Sequence, residues 1–138
     1  HTTRRLNWAT PTASMRMLIP DSGMRGPGRL VWVDAKYKAH LQLIARKGWS
    51  GLEESTRDAH RADLHQALAY ASLDEVEHVD SVLVYPEMTP DARARPAVAT
   101  VASGKRRVRL LLMALPFGFQ TPDHRDRTLS QWQELFSA

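Results

Sequence analysis

The chain has no cysteine. That excludes a disulfide framework and any thiolate metal site. No apolar run approaches the length that a membrane span needs, and no stretch has the layout of a secretory leader. A cytoplasmic protein with no membrane partner is the expectation. No glycine-rich phosphate loop ending in Gly-Lys-Ser/Thr is present, and Ser103-Gly104-Lys105 lacks the rest of that motif. A nucleotide-driven motor is therefore not part of this stretch of chain. There is no internal repeat, no low-complexity segment, and no acidic residue before Asp21.

What is present suits one domain. A chain of 138 residues, 43% hydrophobic and 25% charged, is long enough to bury a real core. The formal charge of +4 permits a polyanionic partner without demanding one. The chain begins at His1 rather than Met, which reads as a tag remnant or as a piece of a longer protein. Residues 1–12 are polar and without period, so a tail is expected there, followed by a single domain over 13–138.

The most ordered stretch is Leu30-Val31-Trp32-Val33-Asp34-Ala35-Lys36-Tyr37-Lys38. Its apolar half predicts a buried strand. Upstream, 13–20 also reads as a strand, and 21–28, with three glycines and a proline, must hold a turn. The two strands should form an antiparallel hairpin. Residues 40–46 make a short helix ended by Gly48, with Trp49 packed locally. Residues 52–72 are helical, with Leu64, Ala67, Leu68 and Ala71 as the apolar stripe. A second apolar strand covers 79–85 and stops at Pro86. Residues 87–96 form a loop, 97–102 and 105–115 are strands joined across Ser103-Gly104, and 116–122 is a break. The last helix, 125–136, packs through Leu129, Trp132, Leu135 and Phe136. A strand–helix–strand unit requires a crossover, so the class is α/β with a mixed sheet flanked by helices.

Asp34 and Lys36 are two apart and share one face of their strand. A carboxylate can hold a divalent ion through oxygen, and an ammonium beside it can orient water or balance charge on an attacked phosphorus. An Asp-x-Lys pair at a strand end is more often only a solvated pair, so it needs company. Gln66 and Tyr70 are four apart on the long helix, with Asp63 on the same flank. Lys38, Lys105, Arg106 and Arg107 are candidate phosphate contacts, the last three at a cationic hairpin tip. The same charges would also protect an edge strand. His60 and His65 are five apart on a helix and diverge, and His40, His78 and His124 show no ligand-like spacing, so a histidine metal site is not expected.

Three strings together, Val33-Asp34-Ala35-Lys36-Tyr37-Lys38, then Asp63 to Ala71 with Gln66-x3-Tyr70, then Val82-Leu83-Val84-Tyr85-Pro86, resemble the PD-(D/E)xK nucleases of restriction-endonuclease-like fold. The closest likeness is to McrC-type subunits of modification-dependent restriction systems. It spans roughly residues 13–120. The resemblance implies a mixed-sheet core, Mg2+-dependent cleavage of DNA (Mn2+ substituting), and two sites acting together, hence a homodimer. It also implies a separate motor driven by nucleoside triphosphate, or a reader of modified bases. Asp34 would be a metal ligand, Lys36 would position water or stabilise charge, and Gln66 and Tyr70 would orient the lysine or a phosphate. The family also carries an acid on the preceding strand, written Pro-Asp. Pro20-Asp21 stands thirteen positions before Asp34, though Pro-Asp occurs three times in this chain.

Hairpin register decides whether Asp21 serves. With Pro27-Gly28 at the turn, paired residue numbers sum to 55 and Asp21 lies opposite Asp34. With 22–28 all loop, the sum is 50, Arg16 faces Asp34, and Asp21 is roughly 16 Å away. The first register makes Asp21 and Asp34 a metal pair and the chain an endonuclease. The second makes it a degenerate nuclease-fold module that binds nucleic acid or serves assembly.

Overall fold

The computed structural model describes residues 4–5, 17–18, 20–87, 96–116 and 121–137. Its elements are β1 (Arg4–Arg5), β2 (Met17–Leu18), β3 (Ser22–Gly26), β4 (Arg29–Ala35), α1 (His40–Lys47), α2 (Glu54–Ala71), β5 (His78–Glu87), β6 (Ala97–Ser103), β7 (Arg106–Pro116) and α3 (Pro122–Ser137). Five strands form one mixed sheet in the order β3-β4-β5-β7-β6. The three central strands β4, β5 and β7 run parallel, and β3 and β6 are antiparallel edges. The chain is α/β, as the strand–helix–strand pattern predicts.

Burial explains the division of labour. The central strands are apolar on both faces because helices cover both. On one face Leu30, Trp32 and Val79 pack on Tyr70 and Ala71 of α2, and Leu83, Tyr85 and Leu110 pack on Leu41 of α1 and Ala67 of α2. On the other face Val31, Val82, Val84, Leu111 and Met113 pack against Trp132 of α3. The edges read differently: every residue of β3 and of β6 is exposed.

The hairpin partner of β4 is not the predicted strand 13–20 but β3, inside the glycine-rich stretch read as a turn. An edge strand needs no side chains for packing, so glycine does not disqualify it. At Gly23 glycine is required, because a Cβ there would run into the Trp32 ring. The turn itself is Pro27-Gly28, with Gly28 at φ 65. Gly23→Ala is expected to cost about 1–3 kcal/mol, the usual range for overpacking. Urea unfolding followed by tryptophan emission checks it, and an unchanged midpoint would show that Trp32 yields freely.

The register is the one that sums to 55: Ser22 pairs with Val33 and Gly26 with Arg29. Further differences are local. Arg4 and Arg5, read as tail, pair with Leu18 and Met17. On α2, Tyr70 is buried in the stripe where Leu68 was expected, and Leu68 is exposed. β5 runs through Pro86, which sits level with Leu115 near the strand's end, where one missing donor does not stop the ladder. α3 starts at Pro122, a residue suited to a first helical turn. It turns Thr128 and Trp132 inward and leaves Leu129 exposed. Gly48 ends α1 as expected, and Trp49 packs locally, under the Arg61 guanidinium and against the His60 ring. The expectations for 6–16, 88–95 and 117–120, and for the side chains of Leu135 and Phe136, lie outside the described residues.

Candidate active site

The site stands at the C-terminal end of β4, where the chain leaves the sheet. Asp34 points to the α2 face in line with Leu30 and Trp32, and is buried. Asp21 immediately precedes β3. The register sets it across from Asp34, and its Oδ2 accepts a 2.8 Å hydrogen bond from the Ala35 backbone N–H. Asp34 forms the floor of the site and exposed Asp21 its rim.

Lys36 continues the strand, donating its backbone N–H to Val84 at 2.8 Å. Its ammonium lies against Asp34, donates to Gln66 Oε1 at 2.7 Å, and stands 3.5 Å from Asp63 Oδ1. Gln66 in turn donates from Nε2 to the Tyr70 hydroxyl at 2.7 Å. Four of the predicted residues thus form one chain, Asp34–Lys36–Gln66–Tyr70, with Asp21 facing its first member. Helical spacing makes this possible: Asp63, Gln66 and Tyr70 recur at three and four residues on the α2 flank that overhangs β4.

The charges are mutually adjusted. Burial, and then the nearby Asp21, hold the Asp34 carboxyl above its ordinary range despite the lysine. Burial alone would lower Lys36, but Asp34 and then Asp63 outweigh it and raise the ammonium. Burial, then the charges of Asp34 and Asp21, push the Tyr70 phenol up to about 12. The lysine is therefore a fixed cation and the tyrosine a fixed donor at neutral pH.

The predicted phosphate contacts fall elsewhere. Lys38 is exposed just past the site. Lys105 and Arg107 are exposed, but Arg107 is level with His78, about five residues along parallel strands from the level of Asp34, roughly 17 Å. Arg106 is turned to another task. Its guanidinium donates to the Ala71 and Asp74 carbonyls, closing the C-terminus of α2.

A second group lies behind Lys36, and spacing alone did not bring it out. His40, at the start of α1, and His60, on α2, are both buried, with ring centroids 5.8 Å apart. The other oxygen of Asp63, Oδ2, is 3.2 Å from His40 Nδ1 and accepts a 3.1 Å hydrogen bond from the Tyr85 hydroxyl. That hydroxyl is 3.2 Å from His60 Nδ1. Burial, then His40, pulls the His60 imidazole down, and burial, then Asp63, holds the Tyr85 phenol up. Histidines without ligand-like spacing are thus gathered by the fold. The legible trace was His60 and Asp63 three apart on one helix face. Nothing local marks His40.

Among the described residues no helix is long and apolar enough to cross a membrane. No protein-family model matches the chain, and no curated protein matches it. The fold and the site together define an α/β domain with two facing carboxylates and a lysine at the end of a central strand.

Proposed function

We propose that this chain is a Mg2+-dependent DNA endonuclease domain of the PD-(D/E)xK type, with a restriction-endonuclease-like core. The observation that carries the reading is the hairpin register, which sets Asp21 opposite Asp34 with Lys36 alongside. The donor set fits the ion: Mg2+ takes carboxylate oxygens and keeps several waters, and one carboxylate here is buried and one open. The buried Asp34 Oδ2 has the ammonium against it but no hydrogen bond of good geometry. Asp21 and Asp34 would hold the ion. When bound it supplies charge to the scissile phosphate and acidifies a water.

The residues of the chain do the rest. Lys36 holds a positive charge where a pentavalent phosphorus would gather negative charge. Gln66 fixes the lysine's direction, and Tyr70 fixes Gln66. Lys38, exposed beside the site, would meet the phosphate backbone, while Lys105 and Arg107 would serve a longer DNA path or none. The motif strings support a restriction or defence role in the cytoplasm, with a separate nucleotide-driven motor or modified-base reader and paired sites in a homodimer. The feature that favoured a degenerate binding module, Arg16 opposite Asp34, belongs to a register the hairpin does not have.

Calorimetric titration with Mg2+ and Mn2+ tests the reading, with plasmid cleavage run in parallel. The wild type should bind, and both Asp21→Ala and Asp34→Ala should lose binding and cleavage together. Binding that survives Asp21→Ala, or a folded wild type that binds neither ion, would sink it.

A further inference from the structure

We propose that His40, His60 and Asp63 form a site for one borderline transition-metal ion of the zinc class, with the Tyr85 hydroxyl at its fourth corner. The site is distinct from the Asp21–Asp34 pair and does not depend on the nuclease reading.

The geometry is that of a coordination shell. One ligand atom from each of His40, His60 and Asp63 lies within 4.8 Å of the others. Bonds of 2.0–2.1 Å to nitrogen and oxygen in a tetrahedron put neighbouring ligand atoms about 3.4 Å apart. Three such separations are present: 3.2 Å from His40 Nδ1 to Asp63 Oδ2, 3.1 Å from Asp63 Oδ2 to the Tyr85 hydroxyl, and 3.2 Å from that hydroxyl to His60 Nδ1.

Hydrogen bonding accounts for the two separations at the Tyr85 hydroxyl but not for the one at His40. His40 is 4% exposed, and its Nδ1 makes no hydrogen bond of acceptable geometry despite its nearness to Asp63. A buried imidazole nitrogen is rarely left so. It lies 3.2 Å from the same carboxylate oxygen that the tyrosine already serves. Two imidazoles with one carboxylate select zinc-like ions over Mg2+, which prefers oxygen and keeps its waters.

The ligands come from three separate elements, α1, α2 and β5. One ion would staple the two helices to the central strand. Its binding energy would appear as folding energy.

Co2+ serves as the spectroscopic probe and Zn2+ as the competitor, on the metal-free chain. One equivalent of Co2+ should give the strong visible absorption of a tetrahedral site, displaced by Zn2+. In Asp34→Asn, which lacks the Asp21–Asp34 pair, Zn2+ should raise the melting temperature where Mg2+ does not. His40→Gln and His60→Gln, checked for folding by circular dichroism, should each weaken Zn2+ binding at least tenfold, a lower bound drawn from losses of that size for outer-shell changes alone. Asp34→Asn should leave it unchanged. X-ray absorption of the zinc-loaded wild type needs no variant and should read two imidazoles. An all-oxygen shell, no tetrahedral absorption, or loss of zinc binding in Asp34→Asn instead of in the histidine variants would overturn the proposal. Failure of Mg2+ to bind at Asp21 and Asp34 would leave these readings untouched.

Discussion

Lys36→Met is expected to lower Mg2+-dependent DNA cleavage by roughly a hundred- to a thousand-fold while leaving divalent-ion binding in place. The size follows from removing one preorganised electrostatic group from a site where charge develops. Methionine keeps most of the length and loses the charge. The ammonium it replaces is held by Gln66 at 2.7 Å, with Asp34 against it and Asp63 at 3.5 Å, so little of its effect is spent on finding its place. Those neighbours also raise it above the ordinary lysine range, the two carboxylates outweighing burial. In the proposed nuclease it would therefore serve as a cation and donor, not as a base. The variant's lost rate should not return at high pH. Single-turnover plasmid nicking with Mn2+ calorimetry on the same sample separates the two effects. Cleavage within threefold of wild type would remove Lys36 from the chemistry, and loss of ion binding would make it a support for the carboxylates.

Asp80→Ala is expected to cost about 3 kcal/mol of stability, the lower part of the range for breaking a buried ion pair. Asp80 sits near the start of β5 on the α3 face, with only 3% of its side chain exposed. Arg109 donates from Nε at 2.7 Å and from Nη2 at 3.0 Å, and Arg29 from Nε at 2.9 Å and from Nη2 at 2.5 Å. Truncation leaves two guanidiniums facing each other. Arg29 is 35% exposed and recovers solvent, which is why the lower part of the range applies. Burial alone would raise the carboxyl, but Arg109 and Arg29 outweigh it and lower it below 3.8. A depressed folded-state value favours the ionised folded chain. The contribution is therefore complete above the unfolded value of 3.8 and fades as pH falls through the lower folded value. Urea midpoints across that acid range should fall more steeply for wild type than for the variant. Parallel slopes with equal midpoints would show that the fork contributes nothing.

Sequence and structure agree where one physical rule dominates. The runs at 30–33, 82–85 and 110–115 are apolar because central strands are buried twice, and they lie in the three central strands found. Helical spacing put Gln66 and Tyr70 on one flank, and they meet. The departures come where two rules compete. Glycines at 23 and 26 read as a turn, yet an edge strand tolerates them, and Trp32 needs the space over Gly23. Arg106 read as a free cation, but the carbonyls at the end of α2 are a nearer partner than any ligand. Leu68 outranks Tyr70 in hydropathy, yet the phenol has Gln66 to bond and the leucine gains no better cover. The histidine cluster is the clearest limit. His40 meets His60 only because α1 and α2 both pack on the β5 face that holds Tyr85, and no local pattern records that.

The parallel core also sets an order of assembly. β4 and β5 pair residues about 50 positions apart, and nothing shorter can bring them together. Asp34, Lys36, Gln66 and Tyr85 sit on both sides of that join. Long-range contacts must be closed before either cluster exists, and loop-closure entropy opposes that closure until the strands meet. A nascent or clipped chain lacking β5 would thus carry the Asp-x-Lys string without its framework. Both clusters are therefore complete only once β5 has joined the sheet.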